Sequence, residues 1–219
     1  MPVVLAVSYA AGAIPFSGLA ARLTAGTDLR QVGTGTVSGT SLYQVAGFGP
    51  LALAGSLDVA KGAVGPLLAG RGRPVLGALA AGAAVAGHNW SPLLGGAGGR
   101  GISTALGGTM ATAPEATVIL GGALGVGRLL HQTGFACFLA ILALFPVLAR
   151  RRGLSGLVLA GALALPMLAK RLTGNQLVPD GPDRRRVLLW RLLFDRDSPK
   201  RDGDGDSDGD VGRKTVLSR

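Results

Sequence analysis

The sequence predicts an all-α integral membrane protein, a polytopic bundle of five to seven transmembrane helices with glycine-rich cytoplasmic loops. Hydrophobic residues make up 48% of the 219 residues and the mean hydropathy is +0.43, whereas only 16% of the residues are charged. A typical soluble domain has about a quarter of its residues charged. Before Arg150 the acidic residues are only Asp28, Asp58 and Glu115. So few charges cannot cover the surface of a soluble globule, which excludes an ordinary soluble enzyme.

Apolar segments supply the predicted membrane spans, since about 20 apolar residues cross a bilayer as a helix. Polar or glycine-rich stretches separate them, and they occupy residues 3–23, 42–69, 75–85, 102–130, 135–148 and 154–168. Several are short, and residues 102–130 form either one span or two, which leaves the number of spans open. No strand-like alternation competes with this helical interpretation. Small residues pack membrane helices closely, and Gly121 and Gly125 are predicted to do so.

Charge divides the chain into three predicted regions. Residues 1–172 form the transmembrane domain, residues 173–200 a basic juxtamembrane segment, and residues 201–219 a disordered charged tail. Basic runs beside the last apolar segment favour a cytoplasmic C-terminus. The net charge is +10, but the basic residues lie at the ends of apolar segments and in the tail, without the aromatic interleaving that base stacking needs. Nucleic acid is therefore not an expected partner.

An aspartate and glycine tract at residues 202–210 has two interpretations. It resembles the start of a calcium loop, because Gly209 falls at the sixth position when Asp204 is the first. The twelfth position is then Thr215, whereas such a loop needs a bidentate glutamate there. A disordered acidic tract is the favoured interpretation, and weak calcium binding is the alternative.

Asp58 and Lys61 raise the free energy of membrane insertion of their apolar segment, because a charge at the bilayer midplane costs roughly 2.5 to 3.5 kcal/mol on insertion scales. The two residues are three positions apart and share one face of a helix, so that pairing lowers the cost for both. One interpretation is a structural ion pair. The other is that Lys61 binds an anionic substrate and Asp58 orients the lysine.

Two glycine-rich loops are candidate anion sites, because successive backbone N–H groups in such loops form concavities that bind anions. The first glycine loop is residues 33–36 and the second is residues 95–101. The second precedes an apolar helix and offers Arg100, Ser103 and Thr104 near the helix N-terminus, a combination suited to phosphate. The second loop also fits G-x-G-x-x-G, but no βαβ unit surrounds it, so a dinucleotide site is rejected.

His88 and Asn89 end the segment before the second glycine loop. A histidine at this place is either an interfacial polar residue or part of the site. The second histidine, His131, is remote in sequence, so no metal site is predicted. No Ser/His/acid or Cys/His arrangement indicates a protein nucleophile, and no cofactor is predicted.

The order of these motifs resembles that of the bacterial membrane glycerol-3-phosphate acyltransferases that take the acyl group from acyl phosphate. The similarity runs from about Ser8 to about Asn175. The motifs read Y-A-A-G-A-I-P-F at 9–16, G-T-G-T-V-S-G-T-S at 33–41, L-D-V-A-K-G at 57–62, G-H-N-W-S-P at 87–92 and G-G-R-G-I-S-T at 98–104. Each is common alone, whereas their order and spacing together are specific.

The resemblance implies transfer of an acyl group from acyl phosphate to glycerol-3-phosphate in the bacterial plasma membrane, giving lysophosphatidic acid and phosphate. Two phosphate-bearing substrates need two anion sites, and the glycerol hydroxyl attacks the acyl carbonyl directly. The predicted catalytic residues are His88, Asn89, Lys61, Thr34 and Asn175. The predicted substrate-binding and phosphate-binding residues are Arg30, Gly33, Gly35, Thr40, Asp58, Gly98, Gly99, Arg100, Gly101, Ser103 and Thr104.

Several positions depart from the family motifs. Ala13 stands for a serine, Thr36 and Ser41 for asparagines, Gln44 for an arginine, Arg100 for a lysine and Leu172 for a histidine. Loss of one charge-assisted contact is expected to lower binding or rate about ten- to a hundredfold. One alternative is therefore a catalytically degenerate relative that binds a lipid precursor or a partner enzyme. Another is a small-molecule transporter, although the inverted repeats of transporters are not evident.

Overall fold

The computed structural model describes residues 1–176 and 182–196, and the chain within these ranges is helical, with no strand. The prediction of an all-α fold is confirmed there, and the aspartate and glycine tract lies outside the described residues. The helices are α1 (Pro2–Ala13), α2 (Phe16–Ala25), α3 (Gly39–Ala46), α4 (Phe48–Ala69), α5 (Pro74–Asn89), α6 (Ile102–Thr112), α7 (Pro114–Leu129), α8 (Thr133–Thr173) and α9 (Arg184–Phe194). Short 3₁₀ turns occupy Leu29–Gln31 and Pro92–Leu94.

Three stretches within the described residues are long and apolar enough to cross a membrane. They are Pro2–Ala25, Phe48–Ala69 and Thr133–Thr173. The last of these, α8, is interrupted at Gly153, where φ is 57° and ψ is −134°. Arg171 Nη1 donates to the carbonyl of Gly134 at 2.9 Å, so the halves of α8 fold back on each other as a hairpin. Each half is close to the roughly 20 residues that cross a bilayer, and the total number of crossings stays a prediction.

Proline and glycine divide apolar segments that the sequence interpretation treated as continuous. Pro15 lacks a backbone N–H and separates α1 from α2 within residues 3–23. Gly47, with φ of 76°, separates α3 from α4 within residues 42–69. Pro114 begins α7, so residues 102–130 form two helices rather than one.

Glycines let the helix backbones approach closely at two interfaces. Gly12 of α1 lies against the backbone of Ala84 in α5, and Gly107 of α6 lies against the backbone of Val59 in α4. The prediction that Gly121 and Gly125 pack in this way was wrong, because a Cβ at Gly125 would meet nothing within 4 Å. These interfaces fix α4, which carries Asp58 and Lys61, and α5, which carries His88 and Asn89.

Gly107→Ala is expected to lower stability by about 1 to 3 kcal/mol, because the new methyl group would overlap the backbone of α4. The matched control is Gly122→Ala on the exposed face of α7, where a Cβ meets nothing within 4 Å. There we expect no loss, because alanine is the better helix former. Thermal unfolding in detergent measures both variants, and equal midpoints would contradict the assigned α4–α6 contact.

Candidate active site

A buried ion pair on α4 is the centre of the site. Lys61 Nζ lies 2.7 Å from Asp58 Oδ1, and both side chains are 3% exposed. Asp58 Oδ2 accepts a hydrogen bond from Ser17 Oγ at 2.7 Å. Lys61 Nζ also donates to the carbonyl of Ile14 at 2.6 Å, at the break between α1 and α2. The lysine therefore points into the bundle rather than toward lipid.

The end of α5 supplies the second part of the site. His88 Nδ1 lies 3.9 Å from Asp58 Oδ1, and the backbone N–H of Gly99 donates to the His88 carbonyl at 3.2 Å. Asn89 Nδ2 donates to the carbonyl of Pro166 at 2.8 Å, while Asn89 Oδ1 is buried without a hydrogen-bond partner among the described residues. A buried amide oxygen without a hydrogen-bond partner is uncommon, and this one lies close to Gly101 of the second glycine loop.

The two glycine loops lie side by side. The backbone N–H of Val37, just after the first loop, donates to the carbonyl of Gly98 in the second at 3.2 Å. Asn175 joins both loops, because its Nδ2 donates to the carbonyls of Gly35 at 2.9 Å and Gly98 at 2.8 Å. Its Oδ1 accepts from the N–H of Gly98 at 3.2 Å. Asn175 thus holds together two loops that are distant in sequence.

Arg100 is engaged by protein groups. Its Nε lies 2.6 Å from Asp195 Oδ1, just beyond α9, and its Nη1 donates to the carbonyl of Lys170 at 2.9 Å. In the helix that follows, Thr104 is fully buried and its Oγ1 lacks a partner among the described residues, whereas Ser103 is only half-buried. Arg100 therefore connects the second glycine loop to the chain's C-terminal part.

A small cavity of about 10 Å³, enough for about one water molecule, lies between the ion pair and the second glycine loop. Five of the predicted site residues line it, namely Asp58, Lys61, His88, Gly98 and Gly99. The other predicted residues do not line it, and they are Arg30, Gly33, Thr34, Gly35, Thr40, Asn89, Arg100, Gly101, Ser103, Thr104 and Asn175. The cavity thus brings the α4 ion pair and His88 together with two glycines of the second loop, while the first loop, Arg100 and Asn175 lie outside its walls.

Arg30 and Thr34 make contacts within the polar segment between α2 and α3. Arg30 Nη2 donates to Asp28 Oδ2 at 2.6 Å. The hydrogen bonds from Arg30, more than the one from Arg22, hold the pKa of Asp28 well below its usual range. Thr34 Oγ1 lies 2.9 Å from Thr36 Oγ1. Thr40 is exposed in the first turn of α3.

The sequence interpretation missed three polar residues that belong to this region. Ser17 binds Asp58, and Ser91 Oγ donates to the carbonyl of Ala13 at 2.5 Å. Lys170 is 1% exposed, and its Nζ lies 3.4 Å from the carbonyl of Gly96. The sequence places Lys170 at the end of an apolar segment, which could have indicated a buried site residue. The same position is equally typical of a lysine that flanks a membrane span and lies in water. No group of three or more His, Cys, Asp or Glu within the described ranges could hold a metal ion.

The apolar helical bundle and its buried, cation-containing pocket define a polytopic α-helical membrane protein with a candidate anion site between its helices. Its family follows from comparison with known proteins. The chain belongs to the glycerol-3-phosphate acyltransferase family, whose model matches residues 2–176. The resemblance read from the motifs is thereby confirmed.

Individual relatives agree with this assignment. A glycerol-3-phosphate acyltransferase of Synechococcus sp. (strain CC9605) is 41% identical over 91 residues, which are 39% of this chain and 43% of that protein. The chain thus matches less than half the length of this curated relative. The crystal structure of PlsY, an integral membrane glycerol 3-phosphate acyltransferase, in its glycerol 3-phosphate form is similar with a TM-score of 0.72 and 25% identity, covering 90% of this chain and 94% of that one. The lysophosphatidic acid form has a TM-score of 0.69 at 23% identity, covering 90% and 93%.

Proposed function

We propose that this protein transfers an acyl group from acyl phosphate to the hydroxyl of glycerol-3-phosphate, giving lysophosphatidic acid and phosphate in phospholipid synthesis. Membership of the family supports the proposal. The observation that carries it is the position of Lys61, a buried cation on the wall of a cavity shared with Gly98 and Gly99 of a glycine loop. An ammonium group is the kind of donor that a phosphate needs in a site largely closed to water, whereas the N–H groups of Gly98 and Gly99 already donate to Asn175 Oδ1 and to the His88 carbonyl.

The reaction needs positioning and charge stabilisation more than covalent catalysis. The glycerol hydroxyl oxygen forms a bond to the acyl carbon, the bond from that carbon to the phosphate oxygen breaks, and the hydroxyl proton leaves on the phosphate. Lys61 stabilises negative charge on the phosphate, and Asp58 holds the ammonium in place. His88 and Asn89 orient the reacting hydroxyl and carbonyl. Phosphate is a good leaving group, so no protein nucleophile is required.

The loop residues have supporting roles in this proposal. Asn175 fixes the two glycine loops against each other, and Thr34 offers a hydroxyl within the first glycine loop. Phosphate contacts are assigned to the remaining predicted residues, which are Arg30, Gly33, Gly35, Thr40, Gly98, Gly99, Arg100, Gly101, Ser103 and Thr104. Acyl phosphate is the donor, and neither a cofactor nor a metal enters the reaction.

The proposed location is the bacterial plasma membrane, with the C-terminus on the cytoplasmic side. Residues 1–172 form the transmembrane acyltransferase domain and residues 173–200 the basic juxtamembrane segment. The arginine run that begins α9 supports this orientation, because basic residues beside a last span favour the cytoplasm. The glycine loops lie on the same side as α9, since Arg100 pairs with Asp195.

Purified protein in detergent is expected to release inorganic phosphate from palmitoyl phosphate only when glycerol-3-phosphate is present. Arg100→Ala is expected to abolish this release, whereas Arg71→Ala is the matched control on the exposed loop between α4 and α5. Release no faster than in buffer would overturn the enzymatic proposal. Binding of glycerol-3-phosphate without turnover would then favour the degenerate relative, an alternative that the Asp195 contact of Arg100 also supports.

A further inference from the structure

The described chain continues past the residues that the family model matches. The match ends at residue 176, whereas α9 and Asp195 follow it. α9 packs on the start of α8, where the rings of Phe194 and Phe135 stack with centroids 5.3 Å apart. Its last residue, Phe194, also lies with its backbone against Gly134. The end of α9 is therefore seated at a defined place on the bundle.

Two buried guanidinium groups hold the end of α9 in this place. Arg171 Nη1 donates to the carbonyl of Leu192 at 2.9 Å, and Arg191 Nη1 donates to the carbonyl of Gln176 at 3.2 Å. Both arginines are 3% exposed. Hydrogen bonds from charged groups are stronger than those between neutral groups. They therefore fix the residue that follows α9, Asp195, beside the second glycine loop.

The Asp195 carboxylate neutralises the charge of Arg100 without being needed to orient it. Arg100 Nε and Asp195 Oδ1 are 2.6 Å apart, and the side chains are 13% and 23% exposed. The two atoms form an ion pair without the geometry of a hydrogen bond. The guanidinium is already oriented by the hydrogen bond from its Nη1 to the Lys170 carbonyl at 2.9 Å.

A phosphate and the Asp195 carboxylate would compete for Arg100. A guanidinium binds either anion best through parallel N–H groups, and such in-line bonds are stronger than a contact without hydrogen-bond geometry. Two anions at one guanidinium also repel each other, and the repulsion is strong where little water screens it. Arg100 is a phosphate-binding residue in the proposed function, so its Nε–H group can serve the substrate only when Asp195 moves away.

We propose that Asp195 is an autoinhibitory residue, whose carboxylate occupies the place of the glycerol-3-phosphate phosphate at Arg100 until the substrate displaces it. The inference rests on the proposed function, in which Arg100 contacts a phosphate. Glycerol-3-phosphate is the substrate that arrives from water, and the partly exposed Asp195 lies where water reaches Arg100. The position of α9 therefore sets the affinity of the enzyme for this substrate.

Asp195→Asn is expected to bind glycerol-3-phosphate about three- to tenfold more tightly than the unaltered protein, measured by titration calorimetry in detergent. The amide has the size of the carboxylate but lacks the charge that competes with the phosphate. The matched control is Asp183→Asn, which removes the same charge from an exposed aspartate before α9 that makes no side-chain capping bond. We expect this control to bind as the unaltered protein does.

Two results of this titration would overturn the proposal. Equal affinities of Asp195→Asn and Asp183→Asn would mean that the Asp195 carboxylate does not compete with the substrate. Weaker binding by Asp195→Asn would mean that Asp195 positions Arg100 for the phosphate, which is the opposite role. Thermal unfolding of both variants in the same detergent checks that each is folded.

Hydrogen exchange tests the displacement in the unaltered protein. The backbone N–H of Asp195 donates to the Arg191 carbonyl at 3.0 Å and so closes the last turn of α9. Saturating glycerol-3-phosphate is expected to speed exchange in this turn, because the phosphate releases Asp195 from Arg100. Glycerol, which lacks the phosphate, is expected to have no effect. Exchange that is unchanged or slower with glycerol-3-phosphate would overturn the displacement.

Kinetics separate this inference from the proposed function. In Asp195→Asn we expect the KM for glycerol-3-phosphate to fall about three- to tenfold, with kcat and the KM for palmitoyl phosphate unchanged. A fall in the KM for palmitoyl phosphate alone would overturn the choice of substrate at Arg100. Binding needs no turnover, so an inactive protein that binds glycerol-3-phosphate more tightly as Asp195→Asn would overturn the proposed function and support the autoinhibitory contact.

Discussion

Lys61→Met is expected to reduce phosphate release below detection and to lower stability by about 3 to 5 kcal/mol. The stability loss follows because Asp58 is buried and would lose its cationic partner, while the hydrogen bond from Ser17 remains. The activity loss follows because the cavity would lose its ammonium group. Phosphate release and thermal unfolding in the same detergent measure the two effects separately.

The double variant Asp58→Asn with Lys61→Met separates the two roles of the pair. Replacing both partners of a buried ion pair with neutral groups is often close to neutral for stability. We therefore expect the double variant to unfold near the temperature of the unaltered protein and to remain inactive. Phosphate release at an undiminished rate would show that the pair is only structural.

Asn175→Asp is expected to raise the KM for glycerol-3-phosphate at least tenfold. The carboxylate could still accept from the N–H of Gly98, but it could not donate to the carbonyls of Gly35 and Gly98. It would also face both carbonyls with a negative charge. Each hydrogen bond lost from a partly buried site is worth about 1 kcal/mol, so the two loops would separate.

Gln176→Glu is the matched control for Asn175→Asp. Gln176 is exposed, and its side chain donates to the carbonyl of Gly33 at 3.3 Å. We expect a small change in KM and little change in hydrogen exchange at the first glycine loop. In Asn175→Asp, by contrast, the amides of residues 33–37 are expected to exchange faster. Unchanged exchange there would mean that Asn175 does not hold the loop.

The charged residues of the site could be predicted from the sequence where they lie in the middle of an apolar segment. Asp58 and Lys61 interrupt an apolar segment, and the cost of such charges indicated a pair on one helix face before any coordinates. Lys170 escaped the same reasoning because it lies at the end of its segment, where a lysine normally reaches water. Only the packing of α8 against Trp90 shows that the Lys170 ammonium does not reach water.

Contacts between segments distant in sequence could not be predicted. The bond from Asn175 to Gly35 joins residues 140 positions apart. Helical periodicity indicates which face of a helix is apolar, but it does not indicate which other helices pack against that face.

The break at Pro15 shows another limit of prediction from the sequence. A proline in an apolar segment indicates a kink or an end, but the use of the Ile14 carbonyl by Lys61 depends on how α4 packs there.

The reversal at Gly153 determines on which side of the membrane the end of the described chain lies. A straight helix of 41 residues would extend about 60 Å, twice the hydrocarbon thickness. Its C-terminal end would then emerge on the face opposite Gly134, and Asp195 could not meet Arg100. Because the chain turns back, Arg171 returns to Gly134, and the three arginines before Gly153 lie at the far end of the hairpin. One glycine backbone thus brings the last described residues back to the second glycine loop, where Asp195 meets Arg100.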